Sequence, residues 1–139
     1  MSKQILYVDD NLPNRLLVKR IVEAEGYTLL EAEDAVNGWE TAVANTPDLI
    51  LMDLHLPGDS SGYDLTRRIK MTPNLSHIPI VAITAHGHSE AEAQAMSAGC
   101  IGFLHKPADI RQIRQTLRQY LNLSTAGIVE STAPSYAYI

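Results

Sequence analysis

Short apolar runs alternate with stretches of helical periodicity along most of the chain. The runs are Ile5 to Val8, Tyr27 to Ala32, Leu49 to Met52, Ile80 to Ile83 and Ile101 to Leu104. Four of them are almost unbroken, which marks strands buried on both faces, the condition of a parallel sheet covered by helices. The segments between them supply those helices. Asn11 and Pro13 open the first, Leu17, Ile21 and Ala24 recur on one face, and Gly26 ends it. Val36, Trp39 and Val43 recur at helical spacing before Thr46 and Pro47 stop the second. Leu65 and Ile69 mark a third helix, which also carries Arg67, Arg68 and Lys70 and closes at Pro73. Ser89 with Glu92 predicts a capping box for a fourth, ending at Gly99, and the fifth follows Pro107 with Ile110, Ile113, Leu117 and Leu121 inward.

At 139 residues the chain has the length of one domain with a sizeable core, which the pattern places at residues 1–121. From 122 to 139 the periodicity is lost and Ser, Thr, Ala and Pro accumulate, so this stretch is expected to be a tail, mobile or docked through its apolar end, Tyr136, Ala137, Tyr138 and Ile139. Eleven basic against sixteen acidic residues give a net charge of −5, which argues against nucleic acid or an anionic membrane as a partner. The N-terminal residues lead straight into a strand without a secretory apolar segment, and no later run is long enough to span a bilayer, so the expected location is the cytoplasm. Cys100, the single cysteine, is expected to fill core space.

The chemistry lies where the runs end. Asp9 and Asp10 end the first and Asp53 ends the third; if these are neighbouring parallel strands, three carboxylates meet at one sheet edge and repel one another unless a cation joins them. An all-oxygen donor set suits Mg²⁺, which takes one or two carboxylates, keeps waters and accepts phosphate oxygens. Thr84 and Lys106, at or near the ends of the fourth and fifth runs, add a hydroxyl and an ammonium to the same edge. Each of these residues alone is ordinarily a cap, a turn residue or a solvated charge, and their weight comes from the combination.

In combination, Val8-Asp9-Asp10-Asn11, Leu51-Met52-Asp53, Leu56-Pro57-Gly58, Ile83-Thr84-Ala85 and Lys106-Pro107 resemble the response-regulator receiver domain of two-component signalling, over roughly residues 4 to 121. The resemblance implies a flavodoxin-like α/β fold, a doubly wound five-stranded parallel sheet of order 2-1-3-4-5 with five helices. It also implies a phosphorylation-dependent switch. Asp53 would accept a phosphoryl group from a histidine kinase or histidine phosphotransferase. Asp10, Asp53 and the backbone carbonyl of His55 would ligate Mg²⁺, with Asp9 acting through water. Lys106 would pair with the phosphate, Thr84 would move to it, and Phe103 would be the switch aromatic. The resemblance further implies a cis Lys106-Pro107 bond, and output through protein contacts on the face of helix 4, strand 5 and helix 5, from a stand-alone monomer or weak dimer. The face carrying Arg111, Arg114 and Arg118 would be a partner surface. Two features depart from the common pattern: the Pro57 to Gly62 segment is one residue longer, and histidines stand two residues after Asp53 and Thr84, at positions 55 and 86, which in receivers tune the lifetime of the phosphate.

Two other functions compete with the switch. A Mg²⁺-dependent phosphohydrolase would need a second aspartate where His55 stands. A pseudo-receiver acting only as a binding module would have lost members of the acidic pocket, all of which are present. A zinc site at His86 and His88 lacks a third ligand at suitable spacing.

Overall fold

The computed structural model describes residues 2–85 and 89–121. Five strands, β1 (Gln4–Val8), β2 (Thr28–Ala32), β3 (Leu49–Asp53), β4 (Ile80–Thr84) and β5 (Gly102–His105), alternate with five helices, α1 (Leu12–Ala24), α2 (Ala35–Asn45), α3 (Gly62–Lys70), α4 (Ser89–Ala98) and α5 (Ile110–Leu121). All strand pairs are parallel and the sheet order is β2-β1-β3-β4-β5, the doubly wound arrangement expected.

Strand alternation divides the core in two. Ile5 and Tyr7 of β1, Leu49 and Leu51 of β3, and Val81 and Ile83 of β4 pack with Val18, Ile21 and Val22 of α1 and Ile113 and Leu117 of α5. Leu6, Val8, Ile50, Met52, Ile80 and Ala82 face the other way, toward Ala35 and Ala42 of α2, Leu65 and Ile69 of α3, and Ala95 of α4. Cys100 is buried in this second core, as expected of a filler.

Two helix faces differ from the sequence expectation. α1 buries Val18, Ile21 and Val22 while Ala24 is exposed, because its inward stripe lies one position over from the Leu17, Ile21, Ala24 series. α2 turns its small residues inward, Ala35, Gly38 and Ala42, with Trp39 half-buried, whereas Val36 is 65% and Val43 52% exposed. The reason is proximity. A Cβ on Gly38 would stand 2.8 Å from Leu65 Cδ2 and 3.2 Å from Val8 Cγ2, so only a stripe without bulk lets α2 approach β1 and α3 this closely.

Local signals end the elements much as the sequence suggests. Asn11 caps α1 by accepting from the Asn14 N–H, and Gly26 takes a left-handed turn (φ 85°) after it. The side chain of Ser89 lies outside the description, so the capping box expected there is not seen; one not anticipated closes the start of α3, where Ser61 accepts from the Asp64 N–H and Asp64 accepts from Ser61. His86, Gly87, His88 and the expected 122–139 tail lie outside the described residues.

Candidate functional site

β1 and β3 are neighbours, and β1 is also where the strand order reverses, with β2 on its other side. Ligand crevices in open α/β sheets form outside the carboxyl ends of strands at such a point. Asp9 and Asp10 follow β1 there and Asp53 closes β3. One carboxylate oxygen from each of the three lies within 4.8 Å of the others, with Asp9 and Asp53 buried and Asp10 exposed to the opening. Lys106 enters from the loop after β5. Its Nζ donates to Asp9 Oδ2 at 2.8 Å and to Asp53 Oδ2 at 3.0 Å, and its side chain is only 12% exposed. The Lys106 N–H donates to the Thr84 carbonyl at 2.8 Å, which fixes where the side chain starts. Lys106-Pro107 is cis, as the resemblance implies.

The two buried carboxylates are treated differently. Burial pushes Asp9 up, but bonds from Lys106, Tyr7 and the Asn11 N–H outweigh it and hold its carboxyl below the ordinary range. Burial pushes Asp53 up as well. Its bonds from the His55 N–H (3.0 Å) and Lys106 do not compensate, and neighbouring Asp9 adds to the rise. Burial pulls Lys106 down, but its two carboxylate partners more than reverse this and hold it charged. The pocket is thus one fixed anion, one strained anion and a shared cation. The oxygen-only donors and their mutual approach fit Mg²⁺, a hard ion that would offset the charge Lys106 leaves uncompensated.

Of the remaining expected residues, Thr84 and His55 lie at this edge, and Phe103 lies two residues before the end of β5, opposite Ala82. Thr84 is fully buried at the end of β4, one step beyond the Asp53 and Ile83 register pair. His55 is exposed beside the opening. Phe103 is half-buried in β5 against the second core, with the His105 ring edge-on to it at 4.8 Å.

Several supporting residues escaped the sequence reading. Tyr7 looked like one more apolar strand residue, yet its hydroxyl donates to Asp9 Oδ2 at 2.5 Å. Asn14 Nδ2 donates to the same oxygen at 3.2 Å, and Arg15 Nη1 donates to the Asp9 carbonyl at 2.7 Å while its Nε pairs with Glu31. Gly62 is the third. A Cβ there would stand 2.1 Å from the Asp53 carbonyl oxygen, so only glycine lets α3 begin against the end of β3. The phenol at Tyr7 was the available signal, being a polar atom inside a strand buried on both faces.

The three arginines expected to form a partner surface on α5 differ in their surroundings. Arg114 and Arg118 form ion pairs with Glu25 at 3.6 and 3.1 Å, so they seal α5 to the end of α1, and Arg111 alone of the three is exposed.

Comparisons with known proteins agree with this geometry. Residues 5–118 match the response regulator receiver domain family. The chain is 33% identical to the polar-differentiation response regulator DivK of Brucella ovis over 121 residues, which span 87% of this chain and 98% of that protein. Among solved structures, the receiver domain of the sensor histidine kinase PA1611 from Pseudomonas aeruginosa, with a magnesium ion coordinated in its active-site cleft, matches with a TM-score of 0.79 at 28% identity, covering 86% of this chain and 98% of that one. The chemotaxis protein CheY4 of Vibrio cholerae shares the fold, with a TM-score of 0.81 at 24% identity over 87% of this chain and 100% of its own. No helix among the described residues is long and apolar enough to cross a membrane. Fold, acidic pocket and sequence together assign the chain to the response regulator receiver domains, the phosphorylation switches of two-component signalling, which are signalling proteins rather than enzymes of the ordinary kind.

Proposed function

We propose that Asp53 is the phosphoacceptor and that the pocket around it carries out the transfer. The observation that supports this most is Lys106, buried and shared between Asp9 and Asp53, because a cation so held is already beside the atom that would gain a phosphoryl group. An Asp53 oxygen attacks the phosphorus of a phosphohistidine on a histidine kinase or histidine phosphotransferase. The P–N bond breaks as the new P–O bond forms, and the imidazole keeps the electron pair and takes a proton. Phosphoryl transfer asks a protein mainly for positioning and charge neutralisation, and Lys106 supplies both. Mg²⁺, held by Asp10, Asp53 and the His55 carbonyl with Asp9 acting through water, would neutralise the phosphoryl oxygens. The same groups serve transfer from small acyl phosphates and the later hydrolysis, so the domain promotes its own phosphorylation and dephosphorylation.

Once Asp53 carries a phosphoryl group, Lys106 turns to it and the Thr84 hydroxyl moves toward it, and Phe103 follows into the space that Thr84 leaves. These contacts bias an existing equilibrium. The change is passed to a downstream protein through α4, β5 and the outer side of α5 around Arg111, with the seam of Arg114 and Arg118 excluded, and the domain acts as a monomer or weak dimer in the cytoplasm with residues 122–139 as an appended tail. The complete pocket favours this reading over a binding-only pseudo-receiver, and His55 disfavours a phosphohydrolase. Amide exchange with and without beryllofluoride and Mg²⁺ tests the route. Changes reaching from the pocket through α4 and β5 to Arg111 support it, and changes confined to the pocket or appearing around Leu17 and Trp39 refute it.

A further inference from the structure

The Asp9 carboxylate accepts four hydrogen bonds. Its Oδ2 accepts from the Tyr7 hydroxyl at 2.5 Å, Lys106 Nζ at 2.8 Å and Asn14 Nδ2 at 3.2 Å, and its Oδ1 accepts from the Asn11 N–H at 2.9 Å. Of the two closest donors to Oδ2, only one can leave. Lys106 is already shared with Asp53 and reaches its partners on a flexible stem, whereas Tyr7 is fully buried in the close-packed core cluster that also holds Ile5, Val18 and Leu51.

We propose that Tyr7 is a positioning residue for phosphoryl transfer: its hydroxyl keeps Asp9 oriented and partnered while Lys106 moves from Asp9 to the phosphoryl group on Asp53. This rests on the reading of Asp53 as phosphoacceptor and Lys106 as its phosphate partner. A buried carboxylate that loses one donor holds the remaining ones more tightly, so removing the phenol oxygen makes Lys106 harder to detach. Core packing alone does not require that oxygen, since phenylalanine would fill the same volume.

The test is a pair of titrations on the full chain by calorimetry, first Mg²⁺ alone and then beryllofluoride in saturating Mg²⁺, for the wild type, Tyr7→Phe, Lys106→Ala and the double variant. Tyr7→Phe is expected to weaken beryllofluoride binding about tenfold, the worth of one hydrogen bond to a charged group, and to change Mg²⁺ affinity by less than about threefold. In the Lys106→Ala background the same substitution should change beryllofluoride binding by less than about twofold, because no ammonium remains to be released. A merely structural phenol would weaken binding equally in both backgrounds, and that result, or no effect in the wild-type background, overturns the proposal. Failure of the wild type itself to bind beryllofluoride overturns the phosphoacceptor reading and the role of Tyr7 with it.

Discussion

Lys106 donates to Asp9 at 2.8 Å across 97 residues of chain, and with its other bond to Asp53 it is the cation that lets two buried carboxylates share one pocket. Breaking a buried ion pair from one side leaves uncompensated charge and costs several kcal/mol. Lys106→Met should therefore lower stability by about 3 kcal/mol, seen as a fall of roughly 10 °C in the thermal midpoint. Added Mg²⁺ should restore more of that midpoint in the variant than it adds to the wild type, since a divalent ion answers the same need. Equal Mg²⁺ increments in the two proteins would show that Lys106 and the ion do not serve the same charges.

The two carboxylates should respond oppositely to neutralisation. Asp9 is held below the ordinary carboxylate range, so its ionised form stabilises the fold above its unfolded pKa, and this contribution is lost as pH falls through the depressed value. Asp53 is held above that range, so its ionised form opposes folding, and the penalty appears as pH rises through the raised value. At neutral pH and without metal, Asp9→Asn should lower the thermal midpoint while Asp53→Asn should raise it, and both differences should shrink on acidification below the carboxylate range. Thermal midpoints measured from neutral to acidic pH check both signs at once.

Gly62 offers a purely steric test. A methyl group there meets backbone, 2.1 Å from the Asp53 carbonyl oxygen and 2.8 Å from Leu54 Cα, and backbone at a strand end cannot step aside as a side-chain tip can. Gly62→Ala should cost about 3 kcal/mol and also weaken Mg²⁺ binding, because the strain is relieved only by displacing Asp53. Gly58→Ala, where a Cβ meets nothing within 4 Å, should leave Mg²⁺ binding unchanged, its cost coming only from the positive φ of 94°. Denaturation and calorimetric titration of the two variants separate the effects.

Strand positions and their order of burial were legible in the sequence because unbroken runs such as Leu49 to Met52 have no other stable place than the middle of a covered sheet. The acidic residues could be located for the same reason, as strand ends in a doubly wound sheet fall at one edge. Helix faces were less legible. In α2 the valines suggest an inward face, but close approach to β1 selects Gly38 and the alanines, and no single-chain periodicity reveals how near a neighbour comes. The pairing of Arg114 and Arg118 was hidden in the same way: their partner, Glu25, is about ninety residues away in the chain, so the pairing is a property of the packed α1 and α5 pair. Tyr7 is the instructive omission, since its ring fits the core and its oxygen fits the site.

Mapping the modification itself decides whether Asp53 receives the phosphoryl group. The chain is incubated with Mg²⁺ and acetyl phosphate, or with a phosphorylated histidine kinase, then measured by intact mass and, after borohydride trapping and proteolysis, by peptide sequencing. The expected result is one acid-stable, base-labile phosphoryl group per chain, dependent on Mg²⁺, trapped at Asp53 and absent from Asp53→Asn. Incorporation at full level in Asp53→Asn, or trapping at Asp9 or Asp10 in the wild type, would contradict it.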